Sequence, residues 1–153
     1  MNLTENVSLK ELTKSESATR FGISNEPTEE ALDNLKQLAV NILQPVRDHF
    51  GKPLIITSGY RSPELCVKIG STTTSQHTKG QAADFEIGGI ANKDLADWIY
   101  LNLDFDQLIL EFWKPEDVNS GWVHCSYRSD IIGRKQYLRA FTENGKTKYE
   151  PMI

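Results

Sequence analysis

Seven apolar residues, Leu32, Leu35, Leu38, Ala39, Ile42, Leu43 and Val46, form one stripe at helical spacing. An amphipathic helix of that length must cover an apolar surface, and the rest of the chain supplies one. Gly51 stops the helix, Pro53 follows, and the apolar residues then change period. "PLIITSGYRSP" reads as a short buried strand that ends in a loop at Gly59. "AADFEI", "DQLILEF" and "WVHCSYR" read as further strands, and Asn144-Gly145 in "TENGKTKY" is a strong hairpin signal. Upstream, Ser8–Glu11 and Thr13–Glu16 each fit a capping box that opens a short helix, the second ending near Gly22. Pro27 and Thr28 lead into the long stripe. "CVKIGSTTTSQHTKGQ" is a polar, glycine-punctuated loop with room for a short helical turn. Asn92 is the expected cap of a helix carrying Leu95, Trp98, Ile99 and Leu101. Helices first and strands later predict an α+β domain: a mainly antiparallel sheet with helices packed on one face.

The 153 residues suit one domain, spanning 1–153, with a core of its own. A net charge of −4 argues against a general nucleic-acid-binding surface. No apolar run reaches the roughly 18 residues that a transmembrane segment needs. The polar opening "MNLTENVSLKELTKSES" has no apolar core of a secretory signal, so synthesis and folding in the cytoplasm are expected. Two cysteines, Cys66 and Cys125, are too few for a disulfide scaffold.

The chemistry concentrates in three residues. In "AADFEI", strand alternation sends Ala83, Phe85 and Ile87 toward the core and Ala82, Asp84 and Glu86 the other way. In "WVHCSYR" it separates Val123, Cys125 and Tyr127 from Trp122, His124, Ser126 and Arg128. Asp84 and His124 can therefore share a polar sheet face, with His77 folding over it from the preceding loop. Two imidazoles and a carboxylate form a catalytic zinc set with the fourth position left for water. The ordinary alternative is a solvated loop histidine and a strand-surface charge. His49, near a helix C-terminus, has that ordinary reading. Cys125 faces away from His124 and reads as a core thiol.

Ser75, His77, Gly80, Ala82 and Asp84 match the pattern S-x-H-x-x-G-x-A-x-D, with "SGYRSP" before it and "GWVHCS" after it. This set resembles the zinc peptidases of the D-Ala-D-Ala carboxypeptidase type, in the fold group shared with lysostaphin-like enzymes and hedgehog domains. The opening "LKELTKSESATRFGISNEP" resembles that of small bacterial and phage members. The resemblance implies that His77, Asp84 and His124 bind Zn2+, on the sheet face away from the helices. It implies that Gly80 and Ala82 leave room for the chain beside the metal. It also implies a substrate-side role for Arg61, whose five donors suit a carboxylate or an oxyanion; a surface salt bridge is the plain alternative.

Many relatives carry a glutamate three positions before the last histidine, where this chain has Gly121. Other members place the base on the preceding strand, which makes Glu111 the first candidate and Glu86, Glu116 and Asp117 its rivals. Ser75 either bonds the substrate backbone or caps its own loop, and Gln76 has the same two readings. Trp122 is either a wall of the cleft or a buried side chain. The expectation is a zinc peptidase that cleaves peptidoglycan stem peptides, as carboxypeptidase or endopeptidase. Such an enzyme acts on the wall after release, with a holin-type release factor as partner if phage-encoded. The alternative from another class is a zinc-stabilised, non-catalytic module of a cell wall or virion.

Overall fold

The computed structural model describes residues 1–153. Six strands form one sheet in the order β1-β2-β4-β3-β5-β6. They are β1 (Leu54–Ser58), β2 (Ala82–Ile87), β3 (Gln107–Glu111), β4 (Trp122–Ser126), β5 (Gln136–Glu143) and β6 (Lys146–Pro151). Every neighbouring pair is antiparallel except β3 with β5, which is parallel. The architecture is the expected α+β, a mostly antiparallel sheet with helices.

Helix α1 (Leu9–Thr13) opens on the predicted capping box of Ser8 and Glu11. Helix α2 (Glu16–Phe21) is capped by Ser15 rather than Thr13, and Gly22 closes it in the left-handed conformation. Thr13 instead bonds back to the Leu9 carbonyl inside α1, so its hydroxyl is already committed. Thr28 caps α3 (Glu29–Leu38), which runs through a π turn (Ala39–Leu43) into α4 (Gln44–Phe50). Pro45 supplies the reason for the wider turn, since it has no N–H to return to the preceding turn. The stripe residues Leu35, Leu38, Ala39, Ile42, Leu43 and Val46 are fully buried. They pack with Ala83, Phe85, Ile87, Leu108, Leu110, Val123 and Cys125 from one face of the sheet. Leu95 and Ile99 of α6 (Asn92–Asn102) join the same core.

Three local expectations change. Strand β1 is an edge strand with alternating burial, and Ile55 is 53% exposed, so it is not a fully buried strand. The segment after it contains a helix, α5 (Pro63–Lys68), capped by Ser62, before a 3₁₀ turn at Gln76–Lys79. Asn92 is the first residue of α6 and does not cap it. Its amide donates instead to Glu86 Oε1 and to the carbonyls of Ser120 and Gly121. No helix is long and apolar enough to cross a membrane.

Candidate metal centre and active site

The sheet face away from the main core carries the polar residues. Asp84 on β2 pairs directly with His124 on β4, and His124 pairs with Ile109 on β3. Two residues further along, Trp122 pairs with Glu111. The alternation that buries Phe85, Val123 and Leu110 therefore brings Asp84, His124 and Glu111 to the opposite face.

His77 reaches this face from the 3₁₀ turn. Ser75 accepts a hydrogen bond from the His77 amide, so it caps its own turn. Gly80 closes the turn with φ 73°, and a Cβ there would strike the backbone of Ala31, whose carbonyl carbon would be only 3.1 Å away. The smallness of Gly80 thus serves packing against α3. The His77 ring is 3% exposed, and its Nδ1 lies 2.7 Å from the Gly59 carbonyl. A carbonyl can only accept, so Nδ1 carries the hydrogen and Nε2 is left with a lone pair.

That Nε2 lies 3.5 Å from Asp84 Oδ1, and His124 Nδ1 lies 2.9 Å from the same oxygen. One ligand atom from each of the three residues falls within 4.8 Å of the others. Donors on a tetrahedral ion with bonds of about 2.1 Å lie roughly 3.4 Å apart, so the spacing fits one ion. Nitrogen and oxygen donors suit zinc, and the Gly59 carbonyl is the usual kind of outer partner that fixes a ligating imidazole. Burial pushes the Asp84 carboxyl up, but hydrogen bonds and the two imidazoles outweigh it and hold the group well below the ordinary range. Asp84 is therefore an anion throughout the neutral range.

Burial raises the Glu111 carboxyl, the neighbouring Asp84 charge raises it further, and His124 opposes both. Among its rivals, Glu86 is bonded to Asn92, while Glu116 and Asp117 are exposed on the β3–β4 connection. Gly121 has φ 70°, and a Cβ there would overlap the Glu111 carbonyl oxygen and lie 2.8 Å from the Trp113 amide nitrogen. No side chain fits at position 121, so a glutamate three residues before His124 is sterically excluded in this chain.

Arg61 donates its backbone N–H to the His77 carbonyl, while its side-chain Nε is buried without a protein partner. It lines a cleft of about 500 Å³ together with Lys14, Ser15, Tyr60 and Ser58, and Ser58 is the β1 partner of Asp84. None of His77, Asp84, His124 or Glu111 lines this cleft, and Ser58 is its link to the strand that carries Asp84. Trp122 is half-buried, with its ring 5.5 Å from that of Phe112. Gln76 is engaged elsewhere, donating to Asp106 Oδ2 at 2.8 Å. His49 stacks on Trp98, away from the cluster. Both cysteines are free and buried, and burial raises the Cys125 thiol far above its usual range.

The sequence pattern did not reveal Asp106. This residue is 1% exposed and accepts from Arg134 through Nε and a second guanidinium nitrogen, both at 3.0 Å, from the Arg134 amide and from Gln76. It ties the loop before β5 to the turn that carries His77. Its partners lie 28 and 30 residues away, so no local spacing announces them.

Two imidazoles and one carboxylate, grouped on one sheet face with a glutamate on the same face, form a set that could hold a metal ion. The Peptidase M15 family model matches residues 5–126, and the chain belongs to that family. No curated protein matches it. Membership makes the chain a metallopeptidase, and the match includes all three residues of the cluster as well as Glu111.

Proposed function

We propose that the protein is a zinc peptidase that cleaves peptidoglycan stem peptides. The observation that carries this reading is the convergence of His77, Asp84 and His124 beside Glu111 in a chain of the Peptidase M15 family. His77 through Nε2, His124 through Nδ1 and Asp84 through a carboxylate oxygen would hold the ion. Zinc bound there would act as a Lewis acid and bring the pKa of its water to roughly 7.

The chain's own residues do the rest. Gly59 holds His77 in the tautomer that presents Nε2 to the cluster. Asp84 remains ionised, which keeps the cluster attractive to a cation. Glu111 takes a proton from the attacking water and returns it to the leaving amine, and its raised carboxyl suits both directions of transfer. Arg61 lines the cleft beside β1 and has a buried Nε without a protein partner, which supports a role for its guanidinium toward a carbonyl or carboxylate of the peptide. The steric exclusion at Gly121 explains why no glutamate stands at that position, and Glu111 on β3, on the same sheet face as Asp84 and His124, supports the catalytic reading over a non-catalytic module.

The test combines metal analysis of protein purified without chelator with digestion of peptidoglycan by wild-type and Glu111→Gln protein. Zinc near one per chain in both, with fragments released only by the wild type, is the expected result. Released D-alanine identifies carboxypeptidase action, and uncoupled stems identify endopeptidase action. Zinc-loaded wild type that binds peptidoglycan and releases nothing overturns the proposal.

A further inference from the structure

The family match ends at residue 126, yet the sheet continues through β5 and β6. The register places those strands beside the site. Glu111 pairs with Ala140 on β5, and Ala140 pairs with Tyr149 on β6. Paired residues share a face, so Trp122, Glu111, Ala140 and Tyr149 form one row across four strands. Ala140 is the only small residue in that row. It leaves a gap of one strand width between Glu111 and Tyr149, which a tyrosine side chain is long enough to overhang.

Tyr149 is 56% exposed in the middle of a strand. The other face of the hairpin is different in character: Arg139 pairs with Glu150, and Lys146 and Lys148 are solvated. A separate cleft of about 480 Å³, lined by Phe112, Trp113, Phe141 and Thr142 and by neither Glu111 nor Tyr149, lies between the hairpin and the β3–β4 connection. A φ of 55° at Phe112 ends β3 there and lays the ring against Trp122. Trp122 adjoins Glu111 on one side of the row, and Tyr149 stands beyond Ala140 on the other.

We propose that the β5–β6 hairpin is the far wall of the substrate site, and that Tyr149 donates its phenolic hydrogen to a backbone carbonyl of the bound peptide beyond the scissile bond. Three strand positions separate Tyr149 from His124, so the contact falls on substrate residues away from the reacting carbonyl. Burial and the Glu111 charge both raise the phenol above its ordinary range, and it keeps its hydrogen at neutral pH. The inference rests on the peptidase reading, which its test must keep separate.

The experiment is steady-state kinetics of the zinc-loaded full chain on a stem pentapeptide and on a cross-linked stem dimer. Variants Tyr149→Phe, Tyr149→Ala and Lys148→Ala are compared with the wild type, each with its melting temperature. A hydrogen bond made in the bound state is worth about 0.5–1.5 kcal/mol, so Tyr149→Phe should raise KM by about 2- to 13-fold with kcat within twofold. Tyr149→Ala should raise KM further, and Lys148→Ala, on the opposite face, should match the wild type. A wild type that cleaves both peptides with a Tyr149→Phe variant of equal KM overturns the subsite alone. An equal loss in Lys148→Ala also overturns it, because the hairpin would then act only through folding. A wild type that cleaves neither peptide overturns the peptidase reading and the subsite together.

Discussion

Gly121 passes so close to Glu111 that a side chain at position 121 would overlap the Glu111 carbonyl oxygen. The contact joins Gly121 to Glu111, the proposed base. Restoring glutamate at 121 should therefore fail. Left-handed backbone costs a non-glycine residue about 1–2 kcal/mol, and the overlap adds to it. Gly121→Glu and Gly121→Ala should each lose at least about 2 kcal/mol in urea unfolding, with no gain of activity. A stable, active Gly121→Glu protein would refute the steric account.

Metal removal should lower thermal stability. An ion that binds only the folded chain, present at about 1,000 times its dissociation constant, adds about 4 kcal/mol. Wild type should melt higher in zinc than in chelator. His124→Ala and Asp84→Ala should melt at the same temperature in both, since each removes one of three donors. Calorimetry with and without zinc distinguishes these outcomes.

Asp106 should shape the acid limb of stability. The Arg134 ion pair and the Gln76 hydrogen bond outweigh burial and bring its carboxyl down to about 2 from an ordinary value of 3.8. A depressed folded pKa contributes stability that is present above 3.8 and lost as pH falls through about 2. The contribution is on the order of 2 kcal/mol for this side chain, which is 2% exposed. Asp106→Asn should lower stability at pH 6 by about that amount and flatten the decline between pH 4 and 2. It should also weaken zinc binding, because Gln76 adjoins His77 and loses its partner.

Most of the fold and the cluster could be read in the sequence because both rest on periodicity. The stripe from Leu35 to Val46 and the alternation in β2 and β4 are local patterns, and alternation alone brought Asp84 and His124 to one face. The sequence misses share a different cause. Thr13 and Asn92 each carry a side chain whose competing partner decides its role: a carbonyl one turn back, and the carbonyls of Ser120 and Gly121. Propensity names what such residues can bond, and the tertiary fold chooses among the options. The crossover that makes β5 parallel to β3 leaves no local trace either. Without it, the row from Glu111 to Tyr149 is invisible.

Glu111 should show opposite effects on stability and activity. Burial and the Asp84 charge raise its carboxyl, so the ionised form is disfavoured in the folded, metal-free chain. The sign follows from proton linkage: the folded state holds this proton to higher pH than the unfolded state does. Stability is therefore greatest below the unfolded pKa and falls as pH rises through the folded one. At pH 7 the charge is a net cost to the metal-free fold, and Glu111→Gln removes it while keeping the shape. The variant should melt higher than wild type in chelator at pH 7 and lose that advantage below pH 4. Its peptide cleavage in zinc should fall by about 10²- to 10⁴-fold, the usual range for a missing general base. Scanning calorimetry at the two pH values, beside the cleavage assay, reads both effects. A Glu111→Gln protein that melts lower than wild type at pH 7 in chelator would mean that the carboxylate stabilises the fold through a partner of its own, and the base would then be sought at Glu86.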